Sequence, residues 1–294
     1  MMKSNAARSE AFIAYLFIAP LLLGFILWNI GPLFASLGLS FTNYNLLQPP
    51  SFVGLQNYAT LFSDDIFPIA FRNTMIYALV TVPIGLMISL GLALVMNQGV
   101  RGTALFRTIF FTPSVCAVAA IALVWQWIYD ADLGILNHFL MELGLPKFRW
   151  LQDRSLALPS IMVMSIWQGA GYTMVIYLAG LQGVPTQLYE AAKIDGAGAW
   201  SRFRHVTIPM LTPTTFFLLI VGFIGAFQFF AESYMMTRGG PRYATMSLVY
   251  LIYLNGFSYF KMGFASAIAW VLFAAVFVLT MIQLRYARRW VHYE

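Results

Sequence analysis

Charge is scarce in this sequence. Asp, Glu, Lys and Arg make up 10% of its 294 residues, against roughly 25% in an average soluble domain. A soluble fold of this size needs a polar skin, and a chain that is 60% hydrophobic has no material for one. Cysteine is nearly missing: Cys116 stands alone in an apolar run. That excludes a disulfide framework and a thiolate metal cluster, and it makes Cys116 a small buried hydrophobe by expectation. His138, His205 and His292 are scattered singly, without a metal-ligand spacing, so no metal site is expected. The chain has no G-x-x-x-x-G-K-S/T run to cradle ATP phosphates, and no H-E-x-x-H, G-x-S-x-G or paired-carboxylate pattern, which speaks against an enzyme. Ionisable residues are also missing from the depths of the apolar runs, where ion-coupled carriers keep their carboxylates.

What is present is apolar and aromatic. Mean hydropathy is +0.75, and Phe, Trp and Tyr supply 17% of the chain. This is the composition of an integral membrane protein. A spanning helix takes about 20 mostly apolar residues, and six segments qualify: 11–39, 73–96, 108–129, 156–181, 214–231 and 262–284. They lack the two-residue alternation of barrel strands, and open sheet edges cannot be satisfied in lipid. The expected fold is an all-α membrane protein of six transmembrane helices. The first run is too long for a signal peptide, despite Lys3 and Arg8 before it. It reads as an uncleaved helix, kinked near Pro20 and ending around Gly31-Pro32 or a turn later. Pro83 and Pro113 fall inside the second and third runs, where neighbouring helices can re-satisfy the freed carbonyls.

The loops give the orientation. With the N-terminus inside, the whole formal charge of +6 falls on one face, carried by Lys3, Arg8, Arg101, Arg107, Lys193, Arg202, Arg204, Arg285, Arg288 and Arg289. On the other face Lys and Arg are balanced by Asp and Glu. A cation excess marks the cytoplasmic side. Residues 1–10 and 285–294 are therefore expected to be cytoplasmic termini flanking a transmembrane domain of 11–284. The pI near 9.5 is a topology signal and does not require nucleic acid.

The densest charge lies in the long inner loop, 182–213, within EAAKIDGAGAWSRFRHVTIPMLTP from Glu190 to Pro213. Thr186 can cap a helix start, and Pro185 blocks continuity with the helix before it. Residues 187–193 are strong helix formers, and Asp195-Gly196 breaks the run. A second short helix is expected from about Ala199, with Trp200 and Phe203 three apart on one face. Pro209 and Pro213 re-aim the chain into the fifth span. On these residues alone two readings stay open. One is an amphipathic segment lying on anionic headgroups. The other is a docking element for a soluble protein, which the mix of Glu190, Lys193 and Asp195 favours.

Glu190-Ala191-Ala192, followed by Asp195-Gly196-Ala197, Phe203, Ile208-Pro209 and Pro213, resembles the EAA loop of binding-protein-dependent ABC importer permeases. Phe52-Val53-Gly54-Leu55-Gln56-Asn57-Tyr58, Thr237-Arg238-Gly239-Gly240-Pro241 and Met262-Gly263-Phe264-Ala265-Ser266-Ala267 resemble the maltose-type sugar permeases in particular. The likeness runs from Ala11 to about Arg285. It implies a type I importer fold in which the loop is a coupling helix, docked in a cleft of a cytoplasmic ATPase and transmitting its closure. By that resemblance Glu190 meets a basic residue of the ATPase, Ala191 and Ala192 allow close approach, and Gly196 permits the bend. Asp195 caps or braces the second helix, and Ala197, Phe203 and Pro209 complete the pattern. The implied partners are a second homologous permease, two ATPase subunits and an external sugar-binding protein, in a bacterial or archaeal plasma membrane. No cofactor is expected on this chain, ATP and Mg being used by the ATPases. The implied solute is a sugar or sugar derivative. An importer of a polyol phosphate or oligoanion is the alternative, and an ion-coupled carrier acting alone is a further one.

Sugars are held by aromatic faces and neutral hydrogen-bonding groups. Span four offers Trp167, Gln168 and Tyr172 beside Gly169 and Gly171, and span five offers Gln228 among Phe227, Phe229 and Phe230. Trp125 and Trp127, near the outer edge of span three, read as interfacial anchors. A buried Gln needs partners, which in a membrane another helix supplies. The resemblance adds Gly169, Tyr172, Gly222 and Ala226 as substrate-facing positions. The candidate path is thus Trp167, Gln168, Gly169, Tyr172, Gly222, Ala226 and Gln228. The chain departs from the family at Ala231, where Asp is frequent, and at Arg238, where Gly is.

Overall fold

The computed structural model describes residues 2–99 and 102–291, with the side chains of all but residues 2–9, 11 and 12 among them. Arg101, His292 and the side chains of Lys3 and Arg8 lie outside the described residues. In chain order the helices are α1 (Met2–Phe25), α2 (Gly31–Ser40), α3 (Gln56–Phe62), α4 (Ile66–Met96), α5 (Thr103–Val115), α6 (Val118–Ile128), α7 (Ile135–Glu142) and α8 (Ala157–Gln182). Then come α9 (Thr186–Ile194), α10 (Ala199–Arg202), α11 (Ile208–Met210), α12 (Thr212–Phe227), α13 (Ala231–Met236), α14 (Leu248–Tyr253) and α15 (Met262–Trp290). Apart from one antiparallel bridge between Thr42 and Phe52, no β-structure occurs among the described residues.

Among the described residues, four helices are long and apolar enough to cross a membrane by themselves: Ile13–Ser40, Ile66–Met96, Ala157–Gln182 and Met262–Trp290. Two more candidates are bent pairs. α5 and α6 meet at 101°, and Ala199–Met210 meets α12 at 61°.

Several boundaries differ from the sequence expectation. The first helix does not end at Gly31-Pro32, and Pro20 sits inside α1. Instead a π-helical turn, Ile26–Ile30, precedes Pro32, and the Gly31 N–H reaches back five residues to the Ile26 carbonyl. A proline ring clashes with the carbonyl four residues earlier, and one wide turn makes room for it. The same device recurs at Phe203–Thr207, just before Pro209, where the Ile208 N–H bonds the Phe203 carbonyl.

The third span, expected as one helix over 108–129, is broken at Cys116 and Ala117, both extended with ψ of 147° and 128°. Pro113 supplies no N–H. Around it the Thr112 and Ser114 hydroxyls bond back to the carbonyls of Thr108 and Phe111, both at 2.7 Å. Such back-bonding competes with the helical ladder. Cys116, expected buried, is exposed at this break. The fifth helix stops at Phe227 rather than 231, leaving Gln228 as its terminal cap and α13 as a separate helix. The segments between the long helices contain α3, α7, α13 and α14, and α15 continues through Arg285, Arg288 and Arg289 to Trp290.

Chain contacts divide the molecule into two compact units. The first comprises Met1–Ser63 and Ile252–Trp270. In it Asn57 Nδ2 donates to the carbonyls of Ser40 and Thr42, each at 2.8 Å, and the Gly263 N–H donates to the Tyr44 carbonyl at 3.0 Å. The segments that resembled the sugar permeases around Asn57 and Gly263 thus hold one loop.

The second unit comprises Asp64–Leu251 and Val271–Glu294. α8 is its axis and packs along α4 and α5. Two apolar clusters form its core. One gathers Tyr77, Leu158, Ile161, Met162, Met164 and Phe229, and the other gathers Ala93, Met96, Met174, Tyr177, Leu178, Leu181, Leu211 and Leu218. Along α4, α8 and α12 alike, the residues between these clusters are those that line a cavity.

Candidate functional site: a central cavity and a two-helix loop

The cavity, about 390 Å³, is walled by α4, α8 and α12, with Ser114 from α5 and Glu232 from α13. Each helix lends one stripe. From α4 come Tyr77, Thr81, Gly85 and Ser89, four residues apart; from α8, Ser165, Gln168, Gly169, Tyr172 and Thr173; from α12, Leu218, Val221, Gly222, Gly225 and Ala226. Spacings of three and four keep residues on one helix face. The walls come close because small residues stand where helices cross: a Cβ at Gly222 would lie 3.1 Å from Val82 Cγ1.

Of the expected path residues, Gln168, Gly169, Tyr172, Gly222 and Ala226 line this cavity. Trp167 and Gln228 do not. Trp167 packs on Trp125 with ring centroids 5.4 Å apart, because it lies one residue, about 100° of helix, off the Gln168 stripe. Gln228 leaves the stripe because α12 ends before it. Trp125 is half-buried, with ring contacts to Tyr129 and Trp167.

Sequence reasoning missed Tyr77, Thr81, Ser89, Ser165 and Thr173. The signal was present as a stripe of hydroxyl and glycine residues every three to four positions through otherwise apolar helices. It was passed over because single Ser and Thr residues in a membrane helix can bond their own backbone. These do: Thr81 Oγ1 donates to the Tyr77 carbonyl (2.7 Å), Ser89 Oγ to those of Gly85 (2.7 Å) and Ala170 (3.0 Å), and Ser165 Oγ to that of Ile161 (2.9 Å). Gln168 Nε2 donates to the Cys116 carbonyl at 3.4 Å, satisfying a group that the α5–α6 break sets free.

Glu232 reaches the cavity because the chain turns between α12 and α13 at Gln228–Phe230. It lies beside Tyr77, whose ring stacks on Phe229 at 4.0 Å between centroids. Burial raises the Glu232 pKa, opposed by backbone N–H groups of Glu232 and Phe230.

The loop after α8 is a second feature. Pro185 precedes α9 and takes the cap position, so Thr186 begins the helix and makes no side-chain cap bond. α9 ends as its Asp-Gly pair dictates. Gly196 adopts φ +74°, its N–H bonds the Lys193 carbonyl (3.0 Å), and the Ala197 N–H bonds the Ala192 carbonyl (2.8 Å). This reciprocal pair is a Schellman closure, which needs a left-handed residue and so favours glycine. Gly198, not Asp195, precedes α10, and no side-chain cap bond is made there, so Asp195 does not cap the second helix. The Trp200 and Phe203 rings meet on one face, tilted by 37° with centroids 5.4 Å apart. The hydroxyls of Tyr189 in α9 and Thr207, at the end of the π-helical turn after α10, lie 3.0 Å apart in a hydrogen bond. Glu190, Ala191, Lys193 and Asp195 are exposed, and so are Ile194 (87%) and Trp200 (70%). Pro209 lies in α11, which leads directly into α12 and the cavity wall.

Comparison with known proteins agrees with this architecture. Residues 81–292 match the model of the family described as "Binding-protein-dependent transport system inner membrane component". The chain is 38% identical to the probable ABC transporter permease protein YesP of Bacillus subtilis, over 100% of this chain and 96% of that protein. It is 34% identical to the sn-glycerol-3-phosphate transport system permease protein UgpA of Yersinia enterocolitica, over the full length of both. Its fold matches a chain of a bacterial ABC transporter involved in the import of the acidic polysaccharide alginate, with a TM-score of 0.82, 21% identity and coverage of 98% and 99% of the two chains. A second structure of a bacterial alginate ABC transporter, in complex with an alginate pentasaccharide-bound periplasmic protein, matches with a TM-score of 0.85, 22% identity and 96% of each chain. The helices, the cavity and these likenesses agree: the chain belongs to the inner membrane component family of binding-protein-dependent transport systems, as a multi-pass ABC transporter permease.

Proposed function

We propose that this chain is one of two permease subunits of an ATP-driven importer for a sugar or sugar derivative, in the plasma membrane of a bacterium or archaeon. In this reading each bent helix pair is one span, six cross the membrane, and both termini are cytoplasmic. The cavity walled by α4, α8 and α12 is this subunit's share of the solute path. A binding protein outside delivers the solute. Two ATPase subunits inside bind ATP and Mg, for which this chain has no phosphate loop and needs no cofactor of its own.

The observation that carries the reading is the two-helix loop. α9 presents Glu190, Lys193 and uncovered Ile194, the small Ala191 and Ala192 permit close approach, the Gly196 turn leads on to α10, and the Tyr189–Thr207 bond ties α9 to the turn before α11. From there the chain passes through Phe203 and Pro209 into α12, which walls the cavity. A displacement of α9 by an ATPase therefore reaches the cavity along the chain itself. This supports docking on a protein over lying flat on headgroups.

Reconstituted into liposomes with its partners, the chain is expected to support uptake that needs both ATP and the binding protein. Truncating one member of a buried interfacial charge pair costs at least about tenfold in affinity, so Glu190→Ala should lower uptake by about that factor or more. Unchanged uptake and unchanged assembly would remove the docking role. A polyol phosphate is the second reading, favoured by the likeness to the glycerol-3-phosphate permease. Identifying the small molecule carried by the co-purified binding protein separates the two.

A further inference from the structure

Four hydroxyls on the cavity wall face it as hydrogen-bond acceptors, beside the hydroxyls of Tyr77, Tyr172 and Thr173. Thr81, Ser89, Ser114 and Ser165 commit their hydroxyl protons to the carbonyls of Tyr77, Gly85, Phe111 and Ile161, at 2.7 to 2.9 Å. A hydroxyl whose proton is committed offers only lone pairs. Gln168 gives an amide N–H to the Cys116 carbonyl. Glu232 adds a carboxylate, which when ionised is an acceptor alone. Among the described residues no Lys, Arg or His lines the cavity.

From this arrangement we propose that Glu232 and the acceptor-lined wall select the solute by charge, admitting neutral polyhydroxy or ammonium-bearing sugars and rejecting phosphate esters and uronates. The part concerning solutes rests on the importer reading above. A polyol brings donors to the lone pairs of those four hydroxyls and of Glu232. A phosphate or carboxylate brings acceptors to acceptors and a second negative charge to Glu232. In a partly dry cavity that repulsion disfavours occupancy by about tenfold or more. Relatives named for glycerol-3-phosphate and for the acidic polysaccharide alginate carry solutes that this cavity disfavours, so resemblance in chain does not extend to solute charge.

The test measures the cavity's potential without needing the solute. In a Cys116→Ala background, Gly169→Cys places a thiol on the wall where a Cβ meets nothing within 4 Å. Gly225→Cys, equally open, is a second reporter. The purified importer complex is labelled with cationic, anionic and neutral methanethiosulfonates of similar size. With Glu232 present the cationic reagent should react at least about tenfold faster than the anionic one, after correction for their intrinsic rates. Glu232→Gln should bring the ratio toward unity and leave the neutral rate unchanged. A ratio near unity with Glu232 present, or one that Glu232→Gln does not move, overturns the proposal. In parallel, mass spectrometry of the binding protein's ligand should find an uncharged or amino-bearing molecule, and a phosphate ester or uronate there would overturn it. Absence of ATP-dependent uptake in the same preparation would sink the importer reading and leave the potential measurement standing.

Discussion

Gly171 of α8 lies against the backbone of Phe110 of α5: a Cβ at residue 171 would stand 1.8 Å from the Phe110 carbonyl oxygen. The obstacle is main chain, which cannot rotate away, so the two helices must part if a methyl group is added. Gly171→Ala should destabilise the chain by about 3 kcal/mol, the upper end of core overpacking, read as a lower midpoint of thermal unfolding in detergent. Gly169→Ala, two residues away with open space around it, should leave that midpoint unchanged or slightly raised through better helix propensity.

Gly196 closes α9 at φ +74°. Gly196→Ala forces a side chain into the left-handed region, at a cost of about 1–2 kcal/mol. It should fray the end of α9 and weaken co-purification of the ATPase. Gly198, at φ −68°, is the control: Gly198→Ala should co-purify the ATPase as the wild type does.

Arg238 sits at φ +50°, in the left-handed region that favours glycine. A side chain there bears some strain. Arg238→Gly should relieve a left-handed penalty that outweighs the added freedom of the unfolded chain. The net gain is roughly 0.5 kcal/mol, seen as a slightly higher midpoint in the same unfolding assay.

Asp153 accepts hydrogen bonds from the hydroxyl and backbone N–H of Ser155 and from the Leu156 N–H, just before α8, and these hold its carboxyl below the ordinary range. A depressed folded pKa means that the stabilisation is fully present above the unfolded value of about 3.9 and disappears as pH falls through the folded value. Asp153→Asn should therefore lower the unfolding midpoint slightly at about pH 7, and the gap to wild type should close as pH falls through and below the ordinary carboxylate range. A gap of constant size across that range would show that the charge is not what Ser155 stabilises.

The two-helix loop was legible residue by residue. Pro185, Asp195-Gly196 and Pro209 are local instructions, and each acts on its own few peptide units: the start at Thr186, the closure at Gly196 and the wide turn before Pro209 follow from them. The break in span three was not legible. Pro113 within an apolar run is compatible with a continuous helix, and the break at Cys116 took shape with Gln168, fifty-two residues away, positioned to satisfy the freed carbonyl. The end of α12 at Phe227 was also missed, because no proline follows it and the apolar Phe229 and Phe230 continue the run past Gln228.

Composition alone determined that this chain belongs in a membrane and is helical, because a backbone in lipid must satisfy its own hydrogen bonds and six apolar stretches were long enough to do so. Local chemistry determined the loop that turns twice before span five. Tertiary structure decided which hydroxyls share one cavity, since a stripe on a single helix has no meaning until two other helices face it. It also decided that Glu232, just beyond the end of α12, turns back to that cavity. The direction of a side chain beyond a helix end depends on how the chain leaves that helix, which only the packed molecule determines.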